Sequence, residues 1–160
     1  MTHGTPSFGK PRTTVGAILQ MVLAHESGLA ATAHDFEWRV RGSPLQSIKR
    51  LFAEQSRQID RWLGDVARCA QGAGIAAGQA AAAPAGDSVD SEAAPRAAAK
   101  ELLRRHEALA GELRHAVDVV RHRESHTDAG ELLTGLLHFH ETSAWMLRLL
   151  LEAPERSHVV

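Results

Sequence analysis

The stretch from His34 to Arg68 limits the possible folds more than any other part of the chain. A helix-forming run ends at Arg41, Gly42-Ser43-Pro44 interrupts it, and from Leu45 an apolar residue returns at three- and four-residue steps, with one double step, through Ile48, Phe52, Ile59, Trp62 and Val66. Glycine suits the end of one helix and proline the first turn of the next, whereas neither belongs inside one. Two helices must therefore fold back on each other here. The second stripe also takes in Gln55 and Ala70 and is widened by Leu51 and Leu63, so it needs cover on more than one side. A hairpin alone cannot supply that cover.

The rest of the chain supplies the partners. The spacing predicts a first helix over about 14–41, capped by Thr13 or Thr14, with Val15, Ile18, Leu19, Val22, Leu29, Ala33, Phe36 and Val40 on its apolar side. That stripe lapses at His25 and Glu26, which read as a solvated or intersubunit face because unpaired charges are seldom buried. The second helix runs over about 44–70. From Gln71 to Ala94 the composition turns to Ala, Gly, Ser and Pro, with Asp87, Asp90 and Glu92 as the only charges. This is a linker, in which Ala80 to Ala83 could form no more than one turn between Gly72, Gly74, Gly78 and Pro84. A third helix follows over about 95–122 (Ala99, Leu102, His106, Leu109, Leu113, Ala116, Val117, Val120). A fourth covers about 128–152 (Leu132, Leu133, Leu136, His140, Ala144, Leu147, Leu150).

Aromatic residues make up 4% of the chain, there is no Tyr, and β-branched residues never cluster, so the fold class is all-α. With 160 residues the chain reads as one domain over 13–153, flanked by a tail at 1–12 and another at 154–160. Each helix is roughly 40 Å long. Short connections make antiparallel pairs of the first two and the last two helices, and the long linker between them allows a crossover, which gives a four-helix bundle.

The motifs narrow this further. H-x-F-x-W-x-V-x-G from His34 to Gly42, followed by Pro44 and L-F-x-E-Q from Leu51 to Gln55, resembles the first helical junction of the DNA-protection-during-starvation (Dps) family, the miniferritins. K-E-L-L-x-x-H-E-A-L from Lys100 to Leu109, D-x-x-E-L-L-T from Asp128 to Thr134 and H-E-x-x-A-W-M-L-R from His140 to Arg148 resemble its later helices. The resemblance spans most of Thr14 to Glu152. It implies a ferritin-like bundle with the long crossover linker, assembled as a hollow homo-oligomeric dodecamer that handles iron and protects DNA under stress.

The family's metal positions, carried over without a gap, fall on Glu37, Lys49, Ala53, Gly64 and Arg68. The family has His, His, Asp, Asp and Glu there, divided between two subunits across a twofold interface. Iron takes imidazole and carboxylate donors, and of these five residues only Glu37 can still bind a cation. The resemblance therefore implies a cage with a degenerate ferroxidase centre, in which a Glu37 to Arg68 ion pair, helped by Lys49, replaces the metal as the intersubunit link. Asp128 and Glu131 match acidic family positions near a threefold pore, so they are candidate metal-path residues; stabilisation of the fourth helix's N-terminus explains them equally well. Trp38 and Trp145 match family Trp positions and, with Trp62, are read as core or interface packing.

Other candidates have plainer readings. Glu112 with His115 is a single E-x-x-H pair where a ferritin-type centre needs two. His122 and His126 are at a metal-compatible step but read as a solvated helix end, and His106 and His140 read as hydrogen-bonded core histidines, meeting each other or Gln55. Cys69 reads as a packed thiol; as the only cysteine it excludes an internal disulfide framework. A net charge of -1 gives no general pull toward nucleic acid, and Lys10 and Arg12 in the first tail offer only weak, salt-sensitive DNA binding. The start of the chain lacks a secretory pattern and no apolar run approaches the roughly 20 residues that span a bilayer, so the chain reads as cytoplasmic. Two alternatives remain: an active ferroxidase remodelled around Glu37 with His34, Asp60 or Asp65, and a helical interaction module that forms no cage.

Overall fold

The computed structural model describes residues 14–39, 46–75, 94–122 and 127–152. They form α1 (Val15–Arg39), α2 (Gln46–Gly72), α3 (Ala94–Arg121) and α4 (Thr127–Glu152). The Gly42-Ser43-Pro44 corner, both tails with Lys10 and Arg12, most of the linker, and His126 lie outside the described residues.

Helix ends follow local chemistry. At the start of α1 the Thr14 hydroxyl accepts a hydrogen bond from Ala17 N at 3.1 Å, which settles the cap on Thr14. α2 runs two residues beyond the expected end, because Gly74 adopts φ 78° and closes it. Gly74 N donates to Gln71 O at 2.9 Å and Ile75 N to Ala70 O at 3.0 Å, so carbonyls of the last turn are satisfied by the chain that leaves it. Ile75 is thereby folded back against Gly16 of α1: a Cβ built on Gly16 would lie 2.9 Å from Ile75 Cδ1.

α1 packs along α2 and α3 along α4, and the two hairpins meet through α1 with α3 and α2 with α4. Leu19, Phe52, Ile59, Leu102, Leu113, Leu133, Leu136 and Leu147 are fully buried between them. Side chains of this kind contribute about 1.5–3 kcal/mol each when removed from water. Exposed ion pairs stitch α3 to α4, Arg114 to Glu141 at 2.7 Å and Arg148 to Glu107 at 2.5 Å. Arg96 Nη2 donates to Leu151 O at 2.7 Å, tying the start of α3 to the end of α4.

The α2–α4 seam is the loosest. It leaves a cavity of about 300 Å³ floored by Trp62 and Phe139, whose ring centroids are 6.3 Å apart. Gly135 makes room for that floor, since a Cβ there would lie 2.9 Å from Trp62 Cη2. Trp62 thus packs against Phe139, whereas Trp38 is 68% and Trp145 57% exposed, so neither belongs to the core of this chain.

Candidate functional site

At the family's metal positions, this chain assembles no ligand set. Glu37, Lys49, Ala53 and Gly64 are half-buried and Arg68 is exposed. Lys49 and Arg68 carry no lone pair at neutral pH, and Ala53 and Gly64 have no side-chain donor atom, so these residues do not fit iron. Arg68 is bound instead to Asp65, three residues earlier in its own helix. Of the candidates for a remodelled centre, His34 and Asp60 come together, with Nε2 and Oδ2 3.0 Å apart across α1 and α2. Asp65 is turned to Arg68 instead of toward them. Among the described residues no three His, Cys, Asp or Glu side chains are grouped so as to hold a metal ion.

Asp128 and Glu131 are exposed at the start of α4, with Asp128 in its first turn. Glu112 pairs with His25, not with His115, at 2.6 Å. His122 Nδ1 lies 2.6 Å from Asp118 O one turn back, as a helix-end histidine should. Cys69 is half-buried, and burial with the nearby Asp128 carboxylate pushes its thiol up from the ordinary value.

The chemistry of this bundle gathers at its centre. Expected to face solvent or another subunit, Glu26 is instead fully buried. The reason is its register: four residues after Val22 and three before Leu29, it occupies the apolar stripe of α1, and a partner waits for it on α4. His140 Nε2 lies 2.5 Å from Glu26 Oε1, and His140 Nδ1 lies 2.8 Å from His106 Nδ1 of α3. All three side chains have no exposed surface. The two rings are 5.0 Å apart, and Phe139 meets the edge of His106 at 5.9 Å. Burial, and then the neighbouring His140, hold His106 well below the usual histidine range. It is therefore neutral, and its Nδ1 bond to His140 is made by one proton.

Gln55 completes the layer from α2. Its Nε2 donates to Ser143 O at 3.4 Å, so it binds the backbone of α4 instead of the histidines. Five polar atoms of this layer are buried without a protein partner: Glu26 Oε2, His106 Nε2, Gln55 Oε1, Ser56 Oγ and Ser143 Oγ. Native interiors rarely leave such groups unsatisfied, because each costs about 1–3 kcal/mol. Their concentration in one layer marks it as more than packing.

Comparison with known proteins agrees with the architecture. No curated protein sequence matches the chain. Among solved structures, the X-ray structure of Dps from Thermosynechococcus elongatus superposes with a TM-score of 0.65 over 88% of this chain and 96% of that one, at 16% sequence identity. At that identity the likeness is one of fold, a Dps-like four-helix bundle. The ferritin-like domain family matches residues 16–157. With nearly the whole chain inside that match, and with the helices and crossover order the family requires, this protein belongs to the ferritin-like domain family.

Proposed function

We propose that the chain is a Dps-like miniferritin shell protein that stores iron and shields the cell under stress without oxidising iron at the family's intersubunit centre. The observation that carries this reading is the contrast between a whole-chain ferritin-like bundle and metal positions that hold Glu37, Lys49, Ala53, Gly64 and Arg68. Iron is then cargo, oxidised elsewhere and admitted as a cation, with Asp128 and Glu131 as the acidic residues of its path. Assembly into a homo-oligomeric dodecamer is supported by Trp38, Trp145 and Leu149, large apolar side chains that this chain leaves exposed. DNA contact through Lys10 and Arg12 is weak and lost at physiological salt.

The test has two arms. Light scattering on the purified protein should give a mass about twelve times that of one chain, the expectation for a closed cubic-type shell. Ferrous iron added in air should be oxidised little faster than in buffer, while pre-oxidised or slowly oxidising iron should co-elute with the shell. A monomer or dimer would sink the cage, and a fast stoichiometric oxidation phase would sink the claim about the centre and favour the remodelled site at His34 and Asp60.

A further inference from the structure

The three titratable groups at the centre of the bundle form a line, not a cluster. Glu26, His140 and His106 are joined by two hydrogen bonds of 2.5 and 2.8 Å, and the atoms inside the line are all paired. Its two outer atoms, Glu26 Oε2 and His106 Nε2, are the ones without a protein partner. A metal-binding group would show the opposite, with free atoms converging on one point. His140 is instead bonded through both ring nitrogens and His106 through Nδ1, an arrangement that can pass a proton from ring to ring.

Each end of the line has a neighbour that reaches a seam of the bundle. His106 meets Phe139 edge-on, and Phe139 lines the α2–α4 cavity, whose wall also includes Gln55 and Ser143, the residues with unpartnered Oε1 and Oγ. At the other end Glu26 follows His25, whose half-exposed ring pairs with Glu112 on the opposite, α1–α3 seam. Polar groups thus lie on both sides of the line, at the α2–α4 cavity and on the α1–α3 seam. Among the described residues no other titratable side chain is buried in this layer: α2 contributes Gln55 and Ser56, and α4 adds Ser143 to His140.

We propose that Glu26, His140 and His106 form a proton relay across the bundle, completed by internal water at Glu26 Oε2 and at His106 Nε2. When the line carries no net charge it has two equivalent arrangements. In one, His106 Nδ1–H donates to His140 Nδ1, His140 Nε2–H donates to Glu26 Oε1, and the carboxyl proton is on Oε2. A proton bound from water at His106 Nε2 sends the Nδ1 proton to His140 Nδ1, the His140 Nε2 proton to Glu26 Oε1, and the Oε2 proton out to water. Both hydrogen bonds survive with their direction reversed, and one proton has entered for each that left. The concerted transfer leaves no net charge in the buried layer, which removes the main cost of moving protons through an apolar interior. Water at the ends gives the orphaned atoms their partners, and Gln55 Oε1 and Ser143 Oγ, on residues of the cavity wall, hold the waters that lead in from it. The relay belongs to the single bundle and does not depend on cage assembly.

The test is magic-angle-spinning NMR of the full-length protein labelled with ¹⁵N-histidine, a method indifferent to the size of any assembly. The two arrangements tie the rings together, so the fraction of His106 in the Nε2–H form should equal the fraction of His140 in the Nδ1–H form at every temperature. Magnetisation from water should also reach His106 Nε2. Glu26→Gln keeps a hydrogen bond but cannot exchange donor and acceptor by moving a proton, so it should lock both rings in one arrangement and remove the temperature-dependent mixture of the two forms. His140→Gln should free His106 of any such constraint. Unequal fractions in the wild-type protein, or no transfer from water to His106, would overturn the relay, and both are read without any variant having to fold. Light scattering on the same sample reports assembly separately.

Discussion

At the scale of single residues, the buried layer sets how the protein responds to acid. His106 is held neutral in the fold, whereas in the unfolded chain it takes a proton near its ordinary value of 6.5. Stability from this group is therefore complete above that value and declines as pH falls below it, by about 1.4 kcal/mol per pH unit for one proton. Urea unfolding at pH 7.5 and 5.5 should show the loss, and His106→Gln should flatten it. A wild-type midpoint that does not move between those pH values would contradict the assignment. Glu101 also loses stability as pH falls, but only below the ordinary carboxylate range: the Arg104 guanidinium, then Arg105, hold its carboxyl at about 2 despite partial burial. Its contribution stays intact between those two pH values and does not confuse the measurement. Glu26→Ala leaves His140 Nε2 without its partner, and an unsatisfied buried polar group costs about 1–3 kcal/mol. Urea titration at pH 7.5 measures this directly.

At the scale of elements, two glycines carry helix contacts of different stiffness. Gly135 faces the rigid indole of Trp62, and Gly16 faces the flexible tip of Ile75, each at 2.9 Å from an added Cβ. An indole cannot bend away, whereas Ile75 Cδ1 can rotate. Gly135→Ala should lose about 1–3 kcal/mol in thermal or urea unfolding, in the range of overpacked cores, and Gly16→Ala clearly less. Equal losses would show that the Trp62 floor yields as easily as a methyl group. Such a result would also weaken the view that the α2–α4 cavity has a fixed shape.

The whole molecule is tested by its exposed apolar side chains and its replaced metal positions. Trp145→Ser and Trp38→Ser should lower the mass seen by light scattering while far-UV circular dichroism keeps its helical form, because neither ring supports the core of its own chain. A retained full mass would place the interfaces elsewhere. Placing His, His, Asp, Asp and Glu at 37, 49, 53, 64 and 68 should create a fast phase of ferrous oxidation that the parent lacks. The proposed Glu37 to Arg68 link between subunits must compete with Asp65, which already holds Arg68 within α2. A double-mutant cycle of Glu37→Gln and Arg68→Gln in subunit affinity should show coupling above about 0.5 kcal/mol if the link prevails.

By itself the sequence determined the all-α class, the two hairpins joined by a long crossover, and most of the core. Helical periodicity is a local property, and Gly, Pro and Thr mark helix ends wherever they occur. The mutual contact of His106 and His140 was also legible, since both lie on the apolar stripes of neighbouring helices. Glu26 was not, although it falls on the stripe of α1 between Val22 and Leu29. A carboxylate in an apolar register is stable only if a partner lies opposite, and that partner, His140, is 114 residues away. Only the tertiary structure decided this, as it decided that Trp38 and Trp145 face outward and that Arg68 turns to Asp65. Such outcomes depend on which faces four packed helices leave covered, and burial of a charge is settled by its partner, not by its own position in the chain.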